Sequence, residues 1–114
     1  SAIANGGMLQ EPSLVGAQTK TIQLLSADTA NKIASMMNYN VVYKYGQSTF
    51  PGLDICAKTG TAEVGEDKSP HGWFVGFLND EAHPYAFVVF VENGGSGLGA
   101  AGSVANTVLQ AAVK

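Results

Sequence analysis

Three apolar runs in the second half of the chain predict β-strands. Leu53–Glu63 is rich in β-branched residues, and Trp73–Leu78 and Tyr85–Glu92 are strongly apolar. The connection between the last two runs is short and contains turn-forming residues, a spacing typical of antiparallel neighbours. The sequence therefore predicts a three-stranded antiparallel meander.

Two segments carry apolar residues at three- and four-residue spacing and are predicted to be helical. The first follows Ser26, a good N-cap residue, and should run over Ala27–Tyr43. The second, Ala100–Val113, follows a glycine-rich loop and should lie across the sheet. The predicted apolar faces are Ala30, Ile33, Ala34, Met37 and Val41 in the first helix, and Ala101, Val104, Ala105, Val108, Leu109 and Ala112 in the second.

The remaining segments complete an α+β prediction, with an antiparallel sheet of three main strands flanked by helices. Met8–Val15 and Thr19–Leu25 are predicted to be extended, and Lys44–Gly52 and Val64–Gly72 are predicted loops. No repeat or linker divides the 114 residues, so one core is expected. The opening Asn5-Gly6-Gly7 is typical of a helix end, and we expect the chain to be part of a longer protein.

Composition narrows the classes of function. Apolar residues make up 46 % and charged residues 13 %, which favours a globular protein over a disordered one. Six basic and nine acidic side chains give a net charge of −3 without a basic cluster, so nucleic acid is not an expected partner. No apolar run approaches the roughly 18 residues of a membrane span.

The segment from Lys58 to Thr61 carries the clearest candidate chemistry. An ammonium, the two hydroxyls of Thr59 and Thr61, and a glycine at position 60 fall together on a predicted strand. Lysine attracts a carboxylate, hydroxyls donate hydrogen bonds to it, and glycine lets a peptide approach the backbone. Strict alternation along a strand points the Lys58 side chain to the opposite face from the two threonines. One ligand can therefore contact all three side chains only if it lies along the strand edge or if the strand twists locally.

These residues and their surroundings resemble the transpeptidase domain of penicillin-binding proteins, in which Lys-Thr-Gly is the third signature motif. The resemblance extends over nearly the whole chain, and the extension Thr61-Ala62-Glu63 favours monofunctional, class B-like enzymes over β-lactamases. It implies a portion of a β-lactamase/transpeptidase-like fold. The flanking landmarks are Ala4-Asn5-Gly6-Gly7, Met36-Met37 with Val41-Val42, His71 to Phe77, and Val91-Glu92-Asn93-Gly94-Gly95.

The resemblance implies a role for each residue of the segment. Lys58 would assist electrostatics and proton transfer, and the hydroxyls of Thr59 and Thr61 would bind the carboxylate of a terminal D-alanine. Gly60 would admit the peptide, and the N–H of Thr61 would be an oxyanion-hole donor. Residues 1–114 would thus be the C-terminal portion of the domain, without its nucleophile, because no serine precedes a lysine by three positions and neither Ser-x-Asn nor Tyr-x-Asn occurs.

The resemblance also implies partners and a location. The partners would be the remainder of the transpeptidase domain, a peptidoglycan stem peptide ending in D-Ala-D-Ala, and β-lactam antibiotics. The protein would lie outside the cytoplasm, anchored to the cell membrane by a segment outside this sequence. Neither a cofactor nor a metal is implied. The alternatives are a non-catalytic penicillin-sensing or peptidoglycan-binding module, and a β-lactamase or D,D-carboxypeptidase.

Other signals are weaker. The Gly-x-Gly-x-x-Gly pattern over 97–102 suits a dinucleotide-binding turn, but the preceding strand should end several residues earlier and no second parallel strand follows. Cys56 reads as a half-buried strand residue rather than a nucleophile. His71 and His83 lack companions at metal-ligand spacing, and Trp73 reads as a packing residue.

Overall fold

The computed structural model describes residues 1–16 and 19–114 and has an α+β architecture. Two short strands, β1 and β2, precede helix α1, three longer strands form the main sheet, and α2 is the last helix. No helix in the described ranges is long and apolar enough to cross a membrane. The bounds are β1 Met8–Gln10, β2 Thr21–Gln23, α1 Ala27–Tyr39, β3 Ile55–Ala62, β4 His71–Leu78, β5 Ala86–Val91 and α2 Ser103–Ala112.

The main sheet has the order β3-β4-β5, with antiparallel pairing throughout. The predicted meander is confirmed, with strand ends that differ by one or two residues. β1 and β2 pair only with each other in the described part of the chain. The extended segments predicted there were too long, because only three residues on each side form the ladder.

The first predicted helix ends earlier than the pattern indicated. Ser26 caps it as predicted, since its Oγ accepts the N–H of Thr29 at 3.2 Å. The regular α-helix stops at Tyr39, and Asn40–Gly46 forms a π-helical turn, followed by a short 3₁₀ turn. The π-helical turn covers the last residues of the predicted helix and the first residues of the predicted loop, and Gly46 ends it at φ 89°, a conformation that favours glycine.

One face of the sheet forms the core with α2 and the π-helical turn. Phe74 at the centre of β4 is completely buried and stacks on Phe50 at 5.4 Å between ring centroids. The predicted apolar face of the last helix is only partly buried, because Val104 and Val108 point to solvent. The other buried members of this cluster are Val41, Ile55, Ala57, Leu78, Ala101, Ala105 and Leu109.

The opposite face of the sheet is incompletely covered. Trp73, Val88 and Phe90 lie there with exposed fractions of 38, 66 and 45 %, and we call them the exposed apolar patch. Trp73 and Phe90 are cross-strand partners whose ring centroids are 4.5 Å apart. Trp73 therefore packs on the sheet surface, as predicted, but without a cover in the part of the molecule that the structure describes.

Candidate functional site

Strand β3 presents backbone hydrogen-bonding groups along its outer edge. β4 pairs with its other side, and next to the strand the N–H of Asn79 donates to the carbonyl of Asp54 at 2.8 Å. In an antiparallel ladder the residues of one strand alternate between pairing with the neighbour and facing away from it. Because Asp54 bonds to Asn79, the backbone N–H and C=O groups of the even-numbered residues of β3 bond to β4, and those of the odd-numbered residues face outward. Both backbone groups of Thr59 and of Thr61 therefore lie on the free edge.

Lys58 reaches that edge although its side chain starts on the other face from the two threonines. Its exposed Nζ donates to the carbonyl oxygen of Thr59 at 2.7 Å. The four-carbon side chain is long enough to turn around the strand margin. The alternation difficulty raised by the sequence thus has a local solution, because the ammonium and the threonine side of the strand meet at the edge.

The hydroxyl of Tyr45 holds the other backbone group of Thr59. Tyr45 Oη accepts the Thr59 N–H at 3.0 Å and lies 3.2 Å from Thr59 Oγ1. Its ring packs edge-on against Phe74 with centroids 6.0 Å apart. Thr59 is therefore held from both sides, by Tyr45 at its N–H and hydroxyl and by Lys58 at its carbonyl.

Close packing surrounds Gly60 of the motif and, more tightly, Gly97 in the turn before α2. A Cβ at Gly60 would lie 3.2 Å from the Cβ of Trp73 on the neighbouring strand. A Cβ at Gly97 would lie 2.5 Å from the carbonyl oxygen of Gly60 and 2.7 Å from that of Trp73. The turn that leads into α2 therefore rests directly on the backbone of the motif, and a side chain at 97 has no room.

Helix α1 closes the other end of the same edge. Asn38 Nδ2 donates to the carbonyl of Ile55 at 3.2 Å and to a carboxylate oxygen of Asp54 at 2.9 Å. Ile55 is 1 % exposed, whereas Thr61 is exposed. The accessible part of the edge is therefore its end at Thr61, beside the ammonium of Lys58.

The cysteine and the two histidines considered in the sequence analysis are buried or hydrogen-bonded within the fold. Cys56 is 3 % exposed, and burial, with a smaller contribution from the charge of Asp54, raises the pKa of its thiol to about 11. His71 Nδ1 accepts the N–H of Asn93 at 3.0 Å, and His83 pairs with an exposed aspartate. Within residues 1–16 and 19–114 no cluster of His, Cys, Asp and Glu could hold a metal.

The dinucleotide interpretation of residues 97–102 does not fit this fold. All three strands of the main sheet are antiparallel, whereas a dinucleotide-binding turn connects a parallel strand to its crossover helix. Gly97–Gly102 instead forms a π-helical turn, and Ser96 Oγ accepts the N–H of Gly99 at 2.9 Å. Its glycines serve close packing, as the alternative interpretation held.

Sequence reasoning missed the two residues that shape the edge from outside the motif. Tyr45 lies 14 positions before Thr59 in a predicted loop, and Asn38 lies on the first helix outside its predicted apolar face. The contacts of both residues with β3 depend on how the turn after α1 brings the chain back along the strand. No local pattern carries that information.

Comparisons with known proteins point to one protein family along nearly the whole chain. The family model for the penicillin binding protein transpeptidase domain matches residues 1–113. The peptidoglycan D,D-transpeptidase PbpA of Mycobacterium tuberculosis is 31 % identical across 100 % of this chain, which covers 28 % of that protein. The protein of the same name from Mycolicibacterium smegmatis is 30 % identical over 90 % of the chain. The chain thus spans less than a third of the length of these relatives.

Solved structures show the same relationship. Penicillin-binding protein A from M. tuberculosis, in its imipenem acyl-enzyme complex, superimposes with a TM-score of 0.78 at 31 % identity. The match covers 99 % of this chain and 28 % of that one. The D,D-transpeptidase domain of a peptidoglycan glycosyltransferase from Eggerthella lenta gives a TM-score of 0.79 at 28 % identity, over 98 % of this chain.

Proposed function

The chain belongs to the penicillin-binding protein transpeptidase family, and on this basis we propose that it supplies the substrate-binding strand of a peptidoglycan D,D-transpeptidase. The observation that carries the proposal is the contact of the Lys58 ammonium with the Thr59 carbonyl on the outer edge of β3, two residues before the exposed Thr61. An ammonium, two threonine hydroxyls and backbone groups that face outward from the sheet suit an extended peptide with a terminal carboxylate.

Each residue has a part in this proposal. The hydroxyls of Thr59 and Thr61 bind the carboxylate of the terminal D-alanine, and the ammonium of Lys58 adds electrostatic attraction and assists proton transfer. Gly60 keeps the strand free of a side chain where the peptide approaches. The outward N–H of Thr61 donates to the oxyanion of the tetrahedral intermediate, an interaction typically worth about 3 kcal/mol of barrier.

The nucleophile of the proposed reaction lies in another part of the transpeptidase domain, because no serine of this chain precedes a lysine by three positions. Its oxygen attacks the carbonyl carbon of the penultimate D-alanine. The bond to the last residue breaks, and free D-alanine leaves with a proton. The acyl group then passes from the serine to an amine of a neighbouring stem peptide, which regenerates the serine hydroxyl.

The proposal extends to location and inhibition. Cross-linking of stem peptides takes place at the cell wall, so we place the protein outside the cytoplasm, held at the membrane by a segment beyond these 114 residues. β-Lactams, which also carry a carboxylate beside a reactive carbonyl, would bind along the same edge and acylate the serine. Penicillin-binding protein A of M. tuberculosis forms such an acyl-enzyme with imipenem.

The test is the intact mass of the full-length protein after incubation with a penicillin. We expect a stable adduct on the wild type, and an adduct that forms at least about tenfold more slowly in Lys58→Ala. Lys20→Ala is the matched control, since Lys20 is an exposed lysine next to the separate β1–β2 pair. A folded wild type without an adduct would contradict the transpeptidase proposal and favour a non-catalytic peptidoglycan-binding module.

A further inference from the structure

Tyr45 contacts the candidate carboxylate-binding residue at two atoms. Its Oη accepts the N–H of Thr59 at 3.0 Å and lies 3.2 Å from Thr59 Oγ1. We propose that Tyr45 is a positioning residue that presets the Thr59 hydroxyl to donate a hydrogen bond to the carboxylate of the peptide. This inference rests on the proposed function, because it gives that site its preference for a charged terminus.

In the contact between Tyr45 Oη and Thr59 Oγ1 either hydroxyl can donate, and the proposal assigns the donor role to Tyr45. A phenol oxygen has one O–H to donate and lone pairs to accept with. Tyr45 Oη already accepts the Thr59 N–H, and Thr59 Oγ1 is the acceptor within reach of its own proton. When Tyr45 donates to Thr59 Oγ1, the threonine proton turns away from the tyrosine. Thr59 then has a proton free to donate to a ligand, and a carboxylate is the complementary acceptor.

The tyrosine itself is held in place. Its ring packs edge-on against Phe74, which is completely buried and stacked on Phe50. The hydroxyl of Thr49 donates to the carbonyl of Tyr45 at 2.8 Å and fixes the backbone of the turn. A donor whose support is packed in advance loses little freedom when a ligand binds, and this lowers the cost of binding.

The same contacts limit where a peptide can pair with β3. The N–H of Thr59 is used by Tyr45 and its carbonyl by Lys58. The backbone groups of Thr61 are the outward pair at the exposed end of the strand. A bound peptide therefore begins its backbone pairing at Thr61 and meets Thr59 through the hydroxyl alone. Tyr45 thus sets both the donor direction and the register of the added strand.

The test compares Tyr45→Phe with the wild type in the full-length protein. The ligands are a stem-peptide analogue that ends in D-Ala-D-Ala and its C-terminal amide, and the measurement is the dissociation constant of each by calorimetry. We expect the ratio of the two dissociation constants, amide over acid, to fall about five- to tenfold in the variant. This fall corresponds to part of the free energy that a hydrogen bond to a charged group contributes. Tyr43→Phe is the control, since Tyr43 is 69 % exposed and stacks on Tyr39.

A purely structural role would weaken acid and amide binding alike, and that result would overturn the inference. 4-Fluorophenylalanine at position 45 is the second variant; it fills the same space without an O–H, and it should lose the preference equally. In a Thr59→Val background, Tyr45→Phe should change nothing further. An additional loss of acid preference there would also contradict the proposal.

The outcome separates this inference from the transpeptidase proposal because binding does not require acyl transfer. A wild type that forms no penicillin adduct, yet prefers the acid in a manner that depends on Tyr45, removes the enzymatic proposal and leaves this one. If the wild type forms the adduct and Tyr45→Phe keeps the same preference for the acid, only the proposed role of Tyr45 is excluded. A wild type without any acid preference overturns the inference directly.

Discussion

The ammonium of Lys58 lies 2.7 Å from the carbonyl oxygen of Thr59, its neighbour in sequence. In a regular strand these two side chains leave from opposite faces, so the contact is made around the margin of the strand. It places a positive charge beside the accessible end of the β3 edge. It also uses the Thr59 carbonyl, so within residues 1–16 and 19–114 the outward backbone groups left without a partner at this exposed end are those of Thr61.

Replacing Thr61 by proline tests the proposed oxyanion donor. Proline removes the N–H of residue 61, which faces away from β4, so the ladder between β3 and β4 should persist. We expect the rate of acylation by a penicillin to fall about a hundredfold or more in the full-length protein, with little change in melting temperature.

Thr61→Val is the control for that experiment, because valine keeps the N–H and removes only the hydroxyl. It should lose carboxylate affinity and retain more of its acylation rate at saturating penicillin than the proline variant. Equal acylation rates for the two variants at saturation would argue against an oxyanion role for this N–H.

Cys56 should make the free energy of unfolding depend on alkaline pH. Its thiol has a pKa of about 11 in the folded chain and an ordinary value of 9.0, so above pH 9 the unfolded state loses the proton first. Stability should therefore be independent of this group below pH 9 and should decline as pH rises toward 11.

Urea denaturation of the wild type and of Cys56→Ala at pH 8, 9, 10 and 11 measures this contribution. The alanine variant should show a shallower decline above pH 9, while titration of tyrosines and lysines affects both proteins equally. Identical slopes in the two proteins would show that the thiol ionises equally in both states. Alkylation of the native wild type at pH 8 should also be slow, because the reactive thiolate is scarce and buried.

The exposed apolar patch should cause the 114-residue chain to self-associate in isolation. Val88 and Phe90 lie on β5, whose outer edge has no further strand in the described part of the chain, and Trp73 lies next to Phe90 on the central strand β4. We expect the apparent mass in sedimentation velocity to rise with concentration. Phe90→Lys should shift the association to concentrations about tenfold higher, the loss of roughly 1.4 kcal/mol of contact energy.

Val108→Lys provides the comparison, since Val108 is 59 % exposed but lies on α2, away from the patch. It should leave the association of the isolated chain unchanged. A monodisperse wild-type chain with a sharp, cooperative unfolding transition would contradict the prediction and show that the patch needs no cover.

The main sheet could be predicted from the sequence because its strands are continuous apolar or β-branched runs with short connections. The end of the first helix could not, because the residues after Tyr39 keep helical backbone angles while the hydrogen bonding changes to a π-helical turn. Val104 and Val108 follow the helical period of the last helix, yet the sheet covers a narrower stripe than that period spans. The spacing of apolar residues indicates which residues share one face of a helix. It does not indicate how much of that face the sheet covers.

The candidate site was partly visible in the sequence. The residue types from Lys58 to Thr61 indicate a carboxylate-binding strand. The resemblance to the transpeptidase family suggests a role for each of these residues. The contact of Tyr45 with Thr59 joins residues 14 positions apart through a turn whose geometry no local pattern encodes. The path of the Lys58 side chain depends on its length and flexibility, which strand alternation leaves out.

The contacts along the β3 edge also limit strand pairing at that edge, whereas the outer edge of β5 has no partner strand in the described part of the chain. An unpaired strand edge is a template on which other chains can add and polymerise. Here Asn38 takes the carbonyl of Ile55, and Tyr45 and Lys58 take both backbone groups of Thr59. In the described part of the chain, the outward groups at the exposed end of β3 are those of Thr61, so an added strand meets only a short length of accessible edge there.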